Sequence, residues 1–457
     1  MSEHVFDAVV LGGGSGGYAA AIRLSELGRS VALIEKDKVG GTCLHRGCVP
    51  TKALLHVAEV ADVARDSASV GVIAEVQGLD PARMRAYREG IVAKKYQGLQ
   101  GLLSARGITV VAGEGTLVSG PAVAVGDDIY RGTDVIVATG SYSRTLPGVE
   151  VGGRILTSET ALELPEVPRR VIVLGGGVIG VEFASLWRSL GVEVVIVEAL
   201  DHLVPNEDPA LRKGLERAFR KRGIVSHLGV RVAGVDASPD EVSVRLENGT
   251  SLTADYLLVA VGRGPATAGL GLEEAGVALD RGFVVTDDRL RTDAAHVWAV
   301  GDIVPGLQLA HRSFQQGVFV AEEIAGLDPV IVPETQIPRV TYSHPEIASV
   351  GLTEAQAVDA HGRDRVAAYE YNLAGNAKSE IIGTAGVAKV VRMVDGPIVG
   401  VHLVGDRVGE LISEGQLAVG WEAHPEDIAP FVHAHPTQSE ALGEAFLALA
   451  GKPLHAL

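Results

Sequence analysis

One glycine pattern occurs twice in this chain, at a fixed displacement. The apolar run Val5 to Leu11 ends in Gly12-Gly13-Gly14-Ser15-Gly16-Gly17, a helical pattern follows from Tyr18 to Leu27, and the strand Ser30 to Glu35 closes on an acid. The arrangement returns as strand Arg170 to Leu174, then Gly175-Gly176-Gly177-Val178-Ile179-Gly180, helix Val181 to Leu190, strand Val192 to Val197 and Glu198. Gly12, Gly14, Gly17 and Glu35 map onto Gly175, Gly177, Gly180 and Glu198 with a single offset (175 − 12 = 198 − 35 = 163). Strand, G-x-G-x-x-G, helix, strand and acid in that order predict a unit that holds a dinucleotide. The first glycine permits the tight turn, the second admits backbone to the pyrophosphate, the third lets the helix pack closely, and the helix N-terminus faces the phosphates. Two such units predict two bound dinucleotides. A carboxylate at Glu198 accepts from a ribose 2′-hydroxyl and repels a 2′-phosphate, and residues 199–204 supply no Arg or Lys to offset it, so NAD is expected over NADP.

Cys43 and Cys48 are the only cysteines, both inside Gly40-Gly41-Thr42-Cys43-Leu44-His45-Arg46-Gly47-Cys48-Val49-Pro50-Thr51-Lys52. In a straight helix residues five apart have Cα atoms roughly 8 to 9 Å apart, whereas a disulfide tolerates about 4.4 to 6.8 Å. The turn must therefore be distorted, and Gly47 supplies the backbone freedom. Pro50 suits the start of a helix expected over Thr51 to Ala64. So short a loop constrains the unfolded chain little, and a zinc site would need further ligands at recognisable spacing. Redox chemistry is the expectation for this pair, and no metal site is expected.

At 457 residues the chain exceeds one ordinary core and predicts three or four lobes. The formal charge of −17 (40 Lys and Arg against 57 Asp and Glu) disfavours nucleic acid and anionic membrane surfaces. The longest apolar runs, such as Val171 to Leu174 and Val192 to Val197, are strand-sized and fall short of the roughly 20 residues of a membrane span. The opening Met1-Ser2-Glu3-His4-Val5-Phe6-Asp7 lacks a basic and then apolar leader, so a cytoplasmic location is expected. In that reducing compartment a cysteine pair that oxidises is more often catalytic or sensing than structural.

Two dinucleotide units with a dithiol in the first resemble the pyridine nucleotide disulfide oxidoreductases along essentially the whole chain, in particular the branch that oxidises dihydrolipoamide. The resemblance implies an α/β fold of two Rossmann-like domains, one for FAD and one for NAD, plus a C-terminal α+β dimerisation domain. The implied division is 1–148 for FAD and the redox disulfide, 149–266 for NAD, 267–335 completing the FAD domain, and 336–457 for the interface. Gly12, Gly14, Gly17, Glu35 and Lys52 become FAD contacts. Thr139, Gly140 and Ser141 match a strand-end segment against the flavin, and Asp302 of Val300-Gly301-Asp302 reaches the ribityl chain. Leu309, Ala310 and His311 follow it, and Gly115 approaches the adenine end. Gly175, Gly177, Val178, Ile179, Gly180 and Glu198 hold NAD, with Gly262 of Val261-Gly262-Arg263 nearby and Glu182 close to the nicotinamide.

His433-Ala434-His435-Pro436-Thr437-Gln438-Ser439-Glu440, before a helix expected over Ala441 to Leu449, matches the family's His-Pro-Thr…Glu signature. Thiol–disulfide exchange needs a thiolate nucleophile, hence a base near neutrality, which imidazole provides. His435 is the candidate, with Glu440 orienting its ring, and His433 is expected to be structural. The resemblance places the base against the disulfide of the partner subunit, which implies a homodimer. Thr341-Tyr342-Ser343-His344-Pro345-Glu346 looks like the opening of that domain, with no catalytic role for His344.

The implied reaction runs from dihydrolipoamide through Cys43, the more exposed thiol by family analogy, to a Cys48 thiolate against the flavin, then to NAD⁺. The implied partners are lipoyl groups on separate acyltransferase or carrier chains of 2-oxoacid dehydrogenase or glycine cleavage complexes. Leu44-His45-Arg46 departs from the more usual Leu-Asn-Val and brings a cation near the thiols, which is expected to lower their pKa. Ala266 stands where Asn is common, and Ser313-Phe314-Gln315-Gln316 is unusual after Ala310-His311. The rival reading is a reductase of a low-molecular-weight disulfide, glutathione- or mycothione-like. Such enzymes mostly use NADPH, against which Glu198 argues. Mercuric reduction usually needs a further C-terminal cysteine pair, which Gly451 to Leu457 does not supply. A flavoprotein that senses rather than turns over is the remaining class.

Overall fold

Each fingerprint folds as the strand, helix and strand that its pattern dictates. A computed structural model describes residues 2–455. In the first unit strand Glu3–Leu11 runs into helix Ser15–Glu26 and strand Val31–Glu35, and in the second strand Arg170–Leu174 runs into helix Val178–Ser189 and strand Glu193–Val197. Both helices begin three residues before the apolar periodicity shows, because the fingerprint's last residues already form their first turns.

The first sheet aligns Thr109–Ala112, Val31–Glu35, Glu3–Leu11 and Asp128–Val137 in parallel. Strand Val297–Ala299 returns from beyond the second unit to pair in parallel with Asp128–Val137. The N-terminal half of Asp128–Val137 pairs antiparallel with Ala122–Val125, which pairs with Gly115–Val118. The second sheet is parallel, in the order Val225–His227, Glu193–Val197, Arg170–Leu174, Tyr256–Val259, Ile155–Leu156. Its central strands are apolar on both faces, as a parallel sheet covered on both sides requires: Val171, Ile172, Val173, Leu257 and Leu258 are all buried.

The C-terminal part is an antiparallel sheet in the order Arg339–Thr341, Glu346–Gly351, Ile398–Gly405, Val387–Met393, Val366–Asn372. Helices Val408–Gly420 and Glu440–Leu449 pack on it through Ile412, Leu442 and Phe446. Among the described residues no helix is long and apolar enough to cross a membrane.

Helix Ala310–Ile324 lies across helix Ser15–Glu26, and the crossing is made by glycine: a Cβ on Gly317 would sit 2.2 Å from the Gly16 carbonyl oxygen. This accounts for the unusual segment after His311. Ser313 is buried with its hydroxyl on the Leu309 carbonyl (3.1 Å), Phe314 leans on Tyr18 with ring centres 5.5 Å apart, and Gln316 accepts from the Gly301 N–H at 2.8 Å.

Candidate active site

The two fingerprint loops are near-copies in geometry. Gly12 (φ 104°) and Gly175 (φ 109°) turn in the left-handed region, where an added Cβ would meet the carbonyl oxygens of Ala138 at 2.4 Å and Ala260 at 2.3 Å. A Cβ on Gly17 would lie 1.8 Å from the Gly12 oxygen, and one on Gly180 1.9 Å from that of Gly175. The middle glycines differ in kind. Gly14 and Gly177 have nothing within 4 Å of the Cβ position, so their backbone is approachable from outside. Both helices start at those glycines without a side-chain cap, leaving N–H groups free to face an anion. Glu35 accepts from the Gly13 N–H (2.7 Å) and the Asp37 N–H (2.9 Å); Glu198 accepts from the Gly176 N–H (2.6 Å) and the Leu200 N–H (2.8 Å). Open middle glycine, uncapped helix and a carboxylate fixed beside the turn fit a dinucleotide in each unit. Val178 stands exposed at the second helix start, while Ile179 packs partly on the core.

The loop after the first acid turns directly into the dithiol. Gly40 (φ 103°) donates its N–H to the Gly13 carbonyl at 2.7 Å, and the short helix Gly41–His45 carries Cys43. Helix Cys48–Asp66 starts after a break at Arg46 and Gly47 and so includes Cys48, three residues earlier than Thr51. Both cysteines are free thiols whose side chains hydrogen-bond to one another. Cys48 is the exposed member and Cys43 the half-buried one, the reverse of the expectation. Cys43 lies within a helix docked on the fingerprint loop, whereas Cys48 opens a new helix beyond the break.

The mutual hydrogen bond pushes the Cys43 thiol well above its ordinary range; the same bond, followed by the Lys52 charge, lowers Cys48 to about 7 against the opposing effect of burial. The cation acting on the thiols is thus Lys52. The expectation that His45 or Arg46 supplies it is not met. Arg46 is paired with Asp37, and His45 places Nε2 at 2.9 Å from the Val39 carbonyl and its ring edge-on to Tyr96.

Lys52 sits where three parts of the chain meet. Its Nζ donates to Glu182 Oε2 at 2.7 Å and lies 4.5 Å from the ring centre of Tyr342, whose backbone N–H donates to Glu182 Oε1 at 2.9 Å. Glu182 is buried at 4% exposure and one turn into its helix. It is an ion-pair partner, and no acid occupies the first turn to act on the helix dipole. Sequence reasoning assigned Tyr342 no role, since a tyrosine in a domain-opening segment carries no signal of which residue its ring will meet.

The remaining residues gather around the other end of the first unit. Ser141 Oγ donates to Asp302 Oδ2 at 2.5 Å, and Arg263 donates to Ser141 through Nε (2.7 Å to Oγ) and Nη2 (2.8 Å to the carbonyl). Arg263 therefore makes its hydrogen bonds to the first unit, with Glu159 of the second, where its segment was placed, at 3.8 Å. Thr139 Oγ1 donates to the Ala266 carbonyl at 2.8 Å and the Ala266 N–H to the Gly140 carbonyl at 2.9 Å, so backbone holds the turn that Asn commonly occupies. Leu309 and Ala310 lead into helix Ala310–Ile324, and His311 turns to the Pro338 carbonyl at 2.7 Å. Gly115 is enclosed: a Cβ there would press on Leu11 and Val123 at 2.6 and 2.8 Å. Gly262 (φ 104°) is exposed with open space around it.

His435 and Glu440 pair as the sequence implies, Nδ1 to Oε1 at 2.9 Å, with Glu440 Oε2 accepting from the Thr437 N–H at 2.8 Å. Burial opposes ionisation of Glu440, but the Thr437 N–H and the His435 ring together hold its carboxyl below the ordinary value. The His435 side chain is 73% exposed and turned to solvent, with its ion-pair partner in its own C-terminal segment. His433 is bonded inward to Glu414 at 2.8 Å.

A fold with two dinucleotide cradles, and a lysine-backed dithiol between them, defines an oxidoreductase that moves electrons between sulfur and nicotinamide. Residues 6–317 match the family model "Pyridine nucleotide-disulphide oxidoreductase", and residues 337–446 match the dimerisation domain of the same family. The chain is 38% identical to a dihydrolipoyl dehydrogenase of Bacillus subtilis, covering 98% of this chain and 99% of that protein. It is 40% identical to the mitochondrial dihydrolipoyl dehydrogenase 1 of Arabidopsis thaliana, covering 98% and 91%. The crystal structure of LpdA from Mycobacterium tuberculosis superposes with a TM-score of 0.90 at 27% identity, covering 98% and 100%. The chain belongs to the pyridine nucleotide-disulphide oxidoreductase family. It is a flavoprotein disulfide oxidoreductase with FAD and NAD as cofactors, and it carries the family's dimerisation domain.

Proposed function

We propose that this chain is a dihydrolipoyl dehydrogenase, oxidising dihydrolipoamide to lipoamide with NAD⁺. The observation that carries the reading is the pair of mutually hydrogen-bonded thiols with the Lys52 ammonium one helical turn beyond Cys48, a charge that favours the Cys48 thiolate, together with an imidazole already oriented by a carboxylate. In the oxidised enzyme Cys43 and Cys48 share a disulfide. His435 takes a proton from one substrate thiol, whose sulfur attacks Cys43 and expels Cys48 as a thiolate. The second substrate sulfur then attacks the first while its own proton passes to the departing Cys43, forming the cyclic disulfide and leaving His435 protonated. Two electrons now rest on the cysteine pair, with Lys52 neutralising the Cys48 charge. FAD, when bound, supplies acceptance of those electrons and their delivery as hydride to NAD⁺.

The same reading assigns FAD to Gly12, Gly14, Gly17, Glu35, Lys52, Gly115, Thr139 to Ser141, Asp302 and Leu309 to His311, and NAD to Gly175, Gly177 to Gly180, Glu182, Glu198 and Gly262. It keeps the division 1–148, 149–266, 267–335 and 336–457, supported by the return of strand Val297–Ala299 to the first sheet. The exposed His435 suits a base that serves the dithiol of a second copy in a homodimer. The substrate is a lipoyl group on a separate acyltransferase or carrier chain, and the location is the cytoplasm. The low-molecular-weight disulfide alternative is not favoured: Glu198, with no cation in 199–204, disfavours NADPH.

Steady-state turnover of dihydrolipoamide tests this. Cys43→Ser and His435→Gln are each expected to lower it roughly a thousandfold or more while the purified protein stays yellow. Full activity in either variant, or turnover of glutathione or mycothione disulfide with NADPH in its place, would sink the assignment.

A further inference from the structure

Lys52 lies four residues beyond Cys48 on helix Cys48–Asp66, so the two side chains share a face. A lysine has four rotatable side-chain bonds and will not hold one place unless something packs it. Its carboxylate partner, Glu182, comes from the second fingerprint helix and contacts it from one side. On another side the partner is an aromatic face, the ring of Tyr342 at 4.5 Å from Nζ. Tyr342 comes from the C-terminal part, just after strand Arg339–Thr341. It is tied to the same carboxylate through its own backbone N–H.

We propose that Tyr342 is a positioning residue, its ring holding the Lys52 ammonium against Glu182 and so fixing the cation that faces Cys48. An aromatic face attracts an ammonium through its quadrupole, and a ring neither donates a proton to the lysine nor competes for its charge as a second carboxylate would. The packing of the C-terminal part on the dinucleotide units thereby sets where the charge beside the thiol stands. The groups acting here from the packed elements are Cys43 and Glu182 on Cys48, and Glu182, Glu346 and Glu410 on Tyr342. Glu182 acts against the Cys48 thiolate, and among the described residues Lys52 is the neighbouring cation that favours it.

The inference rests on Cys48 being the thiolate of the proposed reaction, and its test is independent of the substrate. The holoenzyme is reduced by two electrons with dithiothreitol and its thiolate-to-flavin absorption band is titrated against pH. Cys48→Ser must abolish the band; survival of the band in that variant would refute the thiol assignment itself. Tyr342→Leu and Tyr342→Met remove the π face at similar bulk, and each is expected to raise the band's apparent pKa by about half a unit. That is about a twofold loss of thiolate near neutrality. Tyr342→Phe keeps the ring and is expected to titrate as the unaltered protein does. Lys52→Met fixes the upper limit of the shift. An unshifted titration in the Leu and Met variants, or the same shift in Tyr342→Phe, overturns the proposal.

Discussion

The two dinucleotide units share one internal wiring and diverge in what they attach to it. In the first, Glu35 accepts from the Gly13 N–H, and the Gly13 carbonyl accepts the N–H of left-handed Gly40. In the second, Glu198 accepts from the Gly176 N–H, and the Gly176 carbonyl accepts the N–H of Val204, also left-handed at φ 41°. Beyond that shared return the first chain enters the cysteine helix. The second enters a buried ionic anchor: Asp208, fully buried, caps helix Pro209–Lys221 and accepts from Lys389 at 3.0 Å, while Glu207 takes Arg339 at 3.1 Å and Ser349 at 2.5 Å. The same turn thus presents a reactive group in one unit and fastens the C-terminal part in the other. A repeated unit fixes cofactor geometry, and the segment that leaves it is free to specialise.

The sharpest break of the comparison is a methyl group on the third glycine. Gly17→Ala and Gly180→Ala each drive a Cβ into a backbone oxygen and are expected to cost about 3 kcal/mol or more of local stability. Flavin absorbance and NADH binding should separate them: the first loses its yellow colour, whereas the second keeps it and loses nicotinamide affinity. Loss of flavin from both would mean that the units are not independent.

Next comes the anchor. Lys389→Met leaves the fully buried Asp208 without its cation, while half-buried Glu354 keeps Arg363, and is expected to destabilise by about 3 kcal/mol. Urea unfolding should show a lowered midpoint in a variant that retains its FAD. An unchanged midpoint would show that the anchor does not hold the two parts together.

Smaller effects follow from the acids. Glu198→Ala and Glu35→Ala each free two backbone N–H groups and are expected to weaken their own cofactor by about tenfold, or 1.4 kcal/mol. In Glu198→Ala the KM ratio of NADP to NAD should also fall; an unaltered ratio would remove Glu198 from nicotinamide choice.

The mildest test is titration. The folded Cys48 value, about 7, lies below the ordinary thiol value of 9.0. The thiolate therefore adds stability to the reduced form that is complete above the ordinary value and is lost as pH falls through about 7. Iodoacetamide labelling of Cys48 in the reduced protein, followed by mass spectrometry, should halve near pH 7. A midpoint at the ordinary thiol value would show that neither Cys43 nor Lys52 acts on it.

What could be read from the chain is what lies close along it. Both fingerprints, both acids, the cysteine spacing and the His435–Glu440 pair are short-range patterns, each with a backbone or chemical reason for its residue types. Element ends moved by one to three residues, because Ser15 and Val178 begin helices inside the glycine runs and Cys48 begins one before Pro50. The inference about His45 and Arg46 failed for a different reason. Proximity in sequence to a thiol does not say where a long side chain goes, and Asp37 and Val39 had prior claims on both.

The amino-acid order alone determined that two dinucleotides bind, that sulfur chemistry sits beside the first, and that an imidazole–carboxylate pair stands near the C-terminus. Tertiary structure alone decided which charges meet. Lys52 finds Glu182 across 130 residues, Tyr342 finds it across 160, and Asp208 finds Lys389 across 181. No periodicity marks such partners, because a charge or a ring acquires its specificity only from the dry, shared space into which separate elements bring it.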